Sequence, residues 1–272
     1  MPSEVADARN PFLRFVALGD STTEGLEDPY PDGSYRGWAD RLAERLALTS
    51  PELSYANLAV RGRKVPQIRA EQLEPAIRLE PDIASVLGGI NDVLRRTLDL
   101  DRVIGDLDAM TAALTARGAV VLNFTFPDPT AVITVAAARI RARVTEFNRR
   151  VREMSAARGS VLVDLEQDGI AHPTLWCDDR LHANAAGHER IAAAAAAALG
   201  LDDGRDWAQP LPDPPPRSAA ARYAADAVWM GRHMTPWLIR RLRGISSGDG
   251  REAKRPELLP VVTADLRPQL ER

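Results

Sequence analysis

A single cysteine, Cys177, is the whole thiol inventory of this 272-residue chain. That excludes an internal disulfide and any structural zinc site built from several cysteines. Net positive charge is missing too: the formal charge is −3. No global basic field exists to gather counterions from a polyanion, and no nucleic-acid partner is expected. No run approaches the roughly 20 consecutive apolar residues that cross a bilayer. The opening MPSEVADARNPFLRF lacks the basic n-region and long apolar h-region of a secretory signal, so a cytoplasmic protein is expected. What is present is ordinary for a globular chain: 45% apolar and 27% charged residues, with length for one large domain plus an appendage.

Short apolar runs alternate with helical patterns. Phe12–Leu18, Leu53–Ala59, Asp82–Leu87, Ala119–Phe124 and Ser160–Leu165 read as strands, nearly continuous in apolar character, as parallel strands covered on both faces are. Between them, Tyr35–Leu48, Val65–Leu79, Asp101–Arg117, Ala131–Ala157 and Asn184–Leu199 carry helix formers with apolar spacing near 3.6. The alternation predicts an α/β protein, a three-layer α/β/α sandwich around a five-stranded parallel sheet. Gly200 stops the last, alanine-rich helix, and the catalytic body is expected to span residues 1–205.

Residues 206–216 hold Pro210, Pro212, Pro214, Pro215 and Pro216, a stiff connector. Residues 217–244 predict a helical extension: Ala219–Met234 with Tyr223, Ala227 and Met230 on one stripe, then a short helix over Trp237–Arg243 behind Thr235 and Pro236. Trp229, Trp237 and the arginines 240, 241 and 243 suit a membrane surface, but packing on the body or on a second subunit is the favoured reading. Residues 245–272, rich in glycine, proline and charge, read as a flexible tail. The oligomeric state is not legible.

The stretch Gly19-Asp20-Ser21 puts a serine just past the first strand, at the carboxyl edge where open parallel sheets place ligands. A serine hydroxyl needs a base, and Asp179-Arg-Leu-His182 supplies a carboxylate and an imidazole three residues apart. A tight turn there brings Asp179 to the Nδ1 side of His182 and leaves Nε2 for the serine. At the same edge, Asn91 of Gly88-Gly89-Ile-Asn91-Asp92 offers an amide NH₂, Gly62 a backbone N–H, and Ser21 its own N–H. Three donors are thus aimed at one point.

These blocks, in this order over residues 13–200, resemble the SGNH hydrolases, also called the GDSL esterase/lipase family. The resemblance implies a flavodoxin-like SGNH fold, with Ser21, Gly62, Asn91 and His182 as the four named residues and Asp179 completing the triad. It implies a serine acyl hydrolase, a carboxylic ester hydrolase working through an acyl-enzyme on Ser21. Its oxyanion hole is formed by Ser21, Gly62 and Asn91, and its partner is a small acylated substrate. No cofactor and no metal are called for. Thr22 stands where the family often has leucine or isoleucine, and Ala59 where it often has a second glycine; both bear on substrate fit rather than chemistry. The same triad would serve an acyltransferase or thioesterase, and a non-catalytic acyl- or carbohydrate-binding homologue is the remaining alternative.

Several residues read as bystanders. Asp20 and Asp92 shape their turns, His188 packs or bonds locally on the last helix, and His172 and His233 have no evident partner. A metal cluster from His172, Cys177, Asp178, Asp179, His182 and His188 lacks any recognised ligand spacing. Gly244-Ile-Ser246-Ser-Gly248 copies a serine elbow in text, but follows no strand and precedes no histidine. Asn123-Phe-Thr125 is a glycosylation sequon inside an expected buried strand. Pocket depth is assigned to the loops Glu24–Arg36 and Asp128–Val135.

Overall fold

The computed structural model describes residues 12–132, 136–167, 169–201, 207–213, 218–236, 239, 243–244 and 246–261. Expectations for residues 202–206, for most of the Trp237–Arg243 helix, for positions 133–135 of the second pocket loop, for 214–216 of the connector and for 262–272 fall outside them.

The sheet contains β1 (Arg14–Gly19), β2 (Ser54–Asn57), β3 (Ile83–Leu87), β4 (Val120–Phe124), β5 (Val161–Val163) and β6 (Arg255–Pro260), in the order β5-β4-β3-β1-β2-β6. The first five are parallel, and every residue of β3 is buried. This explains their unbroken apolar runs: helices cover both faces. The helices are α1 (Ser21–Glu24), α2 (Gly37–Thr49), α3 (Val65–Arg78), α4 (Ile90–Val93), α5 (Leu100–Thr115), α6 (Ala137–Arg158), α7 (Ala185–Ala198) and α8 (Ala219–Trp229). α2 packs on α7, while α3, α5 and α6 pack side by side. From Ala192 to Ala196 the α7 side chains are all buried, and their small size lets α7 lie close to α2 and the sheet.

The three-layer α/β architecture is as the sequence predicts, but the sheet has six strands rather than five. The sixth comes from the segment read as flexible tail. β6 runs antiparallel along β2, with Tyr55 opposite Leu259 and Asn57 opposite Arg255. Its side chains show no regular in-out alternation; what holds it is main-chain pairing with the open edge of β2, which side-chain patterning does not report. Arg255 adds a bond to the Tyr55 carbonyl at 2.7 Å and covers the Tyr55 ring at 5.3 Å. Lys254, just before β6, puts its ammonium 2.8 Å from Asp40 of α2 and donates to the carbonyls of Tyr35 and Arg36.

The extension helix also differs in the face it buries. Tyr223 and Met230, placed on the packing stripe by their spacing, are exposed, and among the described side chains of α8 Trp229 is the buried one. A π-helical turn, Met230–Met234, continues it. Among the described residues no helix is long and apolar enough to cross a membrane.

Candidate active site

The strand order turns back at β1, which lies between β2 and β3, so the loops after β1, β2 and β3 diverge around one crevice at their carboxyl ends. Ser21, Gly62 and Asn91 arrive on these loops. Asp20 caps α1 by accepting the Thr22 N–H at 3.2 Å, which fixes Ser21 at the first helical position. The exit from α1 is just as constrained: Gly25 (φ +94°) and Gly37 (φ +73°) cross backbone on backbone, and a Cβ on Gly37 would stand 2.3 Å from the Gly25 Cα.

Asp179 and His182 occupy a small hairpin closed by a bridge between Trp176 and Ala183. Cys177 N–H donates to the His182 carbonyl at 2.9 Å, and Arg180 turns the corner at φ +59°. Inside this hairpin His182 Nδ1 lies 2.5 Å from Asp179 Oδ2, and His182 Nε2 lies 2.9 Å from Ser21 Oγ. The other carboxylate oxygen of Asp179 accepts the N–H groups of Leu181 and His182 at 3.0 Å each. Burial pushes the Asp179 carboxyl upward, but its hydrogen bond and charge interaction with His182, helped by those two N–H groups, outweigh burial and hold it below the ordinary carboxylate value. Asp179 is thus kept as an anion beside the imidazole.

Gly62 has φ +74°, and its loop is pinned from α1: Glu24 accepts the Arg61 N–H at 2.7 Å and pairs with the Arg61 guanidinium. Asn91 Nδ2 donates to Asp20 Oδ2 at 3.0 Å and to the Arg63 carbonyl at 3.1 Å, tying the β1, β2 and β3 loops together. Asp92 accepts the Val65 N–H at 3.0 Å. Burial raises Asp20 to about 7 and Asp92 to about 6. Both shape the site's backbone as the sequence suggests, but Asp20 also holds Asn91.

Among the described residues, those weighed as a metal cluster form no group of three or more that could hold an ion. His182 is paired with Asp179, and His172 Nδ1 lies 2.8 Å from Thr174 Oγ1. His188 is buried, and its bonds are long-range rather than local: it accepts the Trp38 N–H and donates to the Leu26 carbonyl. Burial, with the nearby carboxylates of Glu27, Asp179 and Asp178, pushes the Cys177 thiol up to about 11, so it holds its proton at neutral pH. Asn123 is buried in β4 and bonded to Ser160, which takes it out of reach as a glycan acceptor.

Two neighbours of the site were not legible in the sequence. Ser246, Ser247 and Gly248, the discarded elbow pattern, lie directly over Gly62, where an added Cβ would stand 2.6 and 2.7 Å from the two serine oxygens. Trp229 of α8 donates its indole N–H to the Asp179 carbonyl at 2.9 Å. Beside Glu24 and Arg61 opens a groove of about 880 Å³ whose walls include Tyr30, Asp32, Ser34 and Tyr35.

A doubly covered parallel sheet with a hydroxyl, an imidazole and a carboxylate lined up at its carboxyl edge has the architecture of an α/β hydrolytic enzyme. The chain belongs to the GDSL-like Lipase/Acylhydrolase family, whose family model matches residues 17–190. It is, accordingly, a carboxylic ester hydrolase. Among solved structures it is similar to LAE5, an alpha/beta hydrolase from the metagenome of Lake Arreo, Spain, at 25% identity. That match covers 70% of this chain and 95% of LAE5 with a TM-score of 0.59. It is also similar to a variant of Axe2, an acetyl xylan esterase from Geobacillus stearothermophilus, at 22% identity over 71% of this chain and 97% of that one, TM-score 0.59. The acetyl xylan esterase AlAXEase matches at 19% identity over 68% and 99%, TM-score 0.57. No curated protein sequence matches the chain.

Proposed function

We propose that the chain hydrolyses short-chain esters of polar alcohols, with Ser21 as nucleophile, His182 as general base and acid, and Asp179 as the residue that orients and charges His182. The observation that carries this reading is the unbroken relay Ser21 Oγ, His182 Nε2, His182 Nδ1, Asp179 Oδ2, with contacts of 2.9 and 2.5 Å. His182 Nε2 takes the hydroxyl proton as Ser21 Oγ bonds to the ester carbonyl carbon, and the carbonyl oxygen becomes an oxyanion held by the N–H groups of Ser21 and Gly62 and by Asn91 Nδ2, one of whose two hydrogens turns to it from the Arg63 carbonyl. The intermediate collapses by breaking the bond to the alcohol oxygen, which leaves with the proton from His182. Water, deprotonated by the same imidazole, then attacks the acyl-Ser21 carbonyl, and collapse returns the proton to Ser21 and frees the acid.

The similarity to proteins described as acetyl xylan esterases supports an acetyl group on a sugar. Hydrolysis of p-nitrophenyl esters of rising acyl length, alongside acetate release from acetylated xylo-oligosaccharides, tests the reading. Activity highest on acetyl and falling steeply with chain length is expected. An optimum at eight carbons or more, with no acetate released, would replace the short acyl group by a lipid one.

A further inference from the structure

Helix α8 lies beyond the stretch that the family model covers, yet it meets the candidate site at its acid. Trp229 is only 7% exposed, and its indole N–H reaches the main-chain carbonyl of Asp179 at 2.9 Å. The guanidinium of Arg180 lies 5.1 Å from the centre of the Trp229 ring and pairs with Asp226, three residues earlier on α8, at 2.6 Å. Three contacts from one helix therefore converge on Asp179 and Arg180, the two residues that turn the hairpin.

That turn needs support. Arg180 sits at φ +59°, a region that residues with a Cβ occupy only where their surroundings fix them. The Asp179 carboxylate grows from the same residue whose carbonyl Trp229 holds. The peptide plane fixed by the indole thus sets where Oδ2 meets His182 Nδ1, and through the ring where Nε2 meets Ser21. Small misplacements of such a relay are costly to rate and leave substrate binding untouched.

We propose that Trp229 is a positioning residue for the acid–base pair: α8, braced by the Arg180–Asp226 pair, holds the 177–182 hairpin in the one arrangement in which His182 faces Ser21. The extension is thereby part of the working enzyme rather than an appendage. This rests on the reading of Ser21 and His182 given above.

The test compares the full-length wild type with Trp229→Phe, Asp226→Asn and Val228→Ala, well below each unfolding midpoint. Turnover of p-nitrophenyl acetate and the rate at which a fluorophosphonate labels Ser21 are the two readouts. Phenylalanine keeps an aromatic ring beside Arg180 and removes the N–H donor together with the second ring of the indole. Trp229→Phe should lower kcat about three- to tenfold, the worth of one hydrogen bond, and slow labelling in parallel, with KM within about twofold. Asp226→Asn should lower kcat in the same way, and Val228→Ala, an exposed neighbour on α8, should match the wild type. Wild-type kcat and labelling in Trp229→Phe, whatever its thermal midpoint, would overturn the proposal by reducing the contact to packing. So would a raised KM at unchanged kcat. If Trp229→Phe does not fold, Asp226→Asn decides on the same readouts. A wild type that neither turns over nor labels would instead overturn the reading of Ser21 itself, and the proposal with it.

Discussion

Acid should weaken the fold at His188 before it touches most carboxylate pairs. This imidazole is fully buried on α7, accepts the Trp38 N–H at 3.1 Å and donates to the Leu26 carbonyl at 2.9 Å. Only the neutral ring can do both. Burial lowers its pKa from 6.5 to about 4. The native state therefore resists a proton that the unfolded chain accepts, so stability is full above pH 6.5 and is lost as pH falls toward 4. At 1.36 kcal/mol per pH unit the difference between 6.5 and about 4 is worth about 3 kcal/mol in full, and most of that is gone by pH 4.5. Asp20 and Asp92 act in the opposite sense. Their native values, about 7 and about 6, lie above the ordinary 3.8, so the stability they contribute is present at low pH and lost as pH rises through those values. The raw acid profile mixes these terms. Comparison with His188→Gln isolates the histidine: in urea unfolding, the stability gap between wild type and variant should shrink by about 2–3 kcal/mol between pH 7.5 and pH 4.5. A gap that does not change with pH would refute the reasoning, because it would mean that His188 titrates alike in both states.

The remaining expectations are local. Asn91→Ala should fold and bind substrate but lose about 10²–10³ in kcat, the usual cost of one oxyanion donor; steady-state kinetics check it, and near-normal kcat would remove Asn91 from the oxyanion hole. Lys254→Met leaves the Asp40 carboxylate without its ammonium partner, where the two side chains are 14% and 19% exposed. It should cost about 3–5 kcal/mol in urea unfolding and speed hydrogen exchange in β6.

What could be read from the sequence followed the local rules. The apolar runs of β1, β3 and β4 announced a doubly covered sheet, and the spacing of Asp179 and His182 announced a turn that could align carboxylate and imidazole. What escaped depended on contacts between distant parts of the chain. β6 is held by main-chain pairing to β2, which leaves no side-chain period. Trp229 is 50 residues from Asp179, separated by a proline connector, and its burial face contradicts the stripe of Tyr223, Ala227 and Met230. The Ser246–Gly248 segment copies a serine elbow only as text. Nothing in its composition pointed to Gly62, because the close approach there depends on glycine backbone on both sides. The Glu24–Arg61 pair likewise joins two loops that only the sheet order brings together.

Covalent trapping at Ser21 tests the central claim most directly. The wild type and Ser21→Ala are exposed to a fluorophosphonate, and the modified peptide is identified by mass spectrometry alongside p-nitrophenyl acetate turnover. The account predicts one label, on Ser21, in step with loss of activity, and neither label nor turnover in Ser21→Ala. A label on Ser246, Ser247 or Cys177, or undiminished turnover by Ser21→Ala, would contradict it.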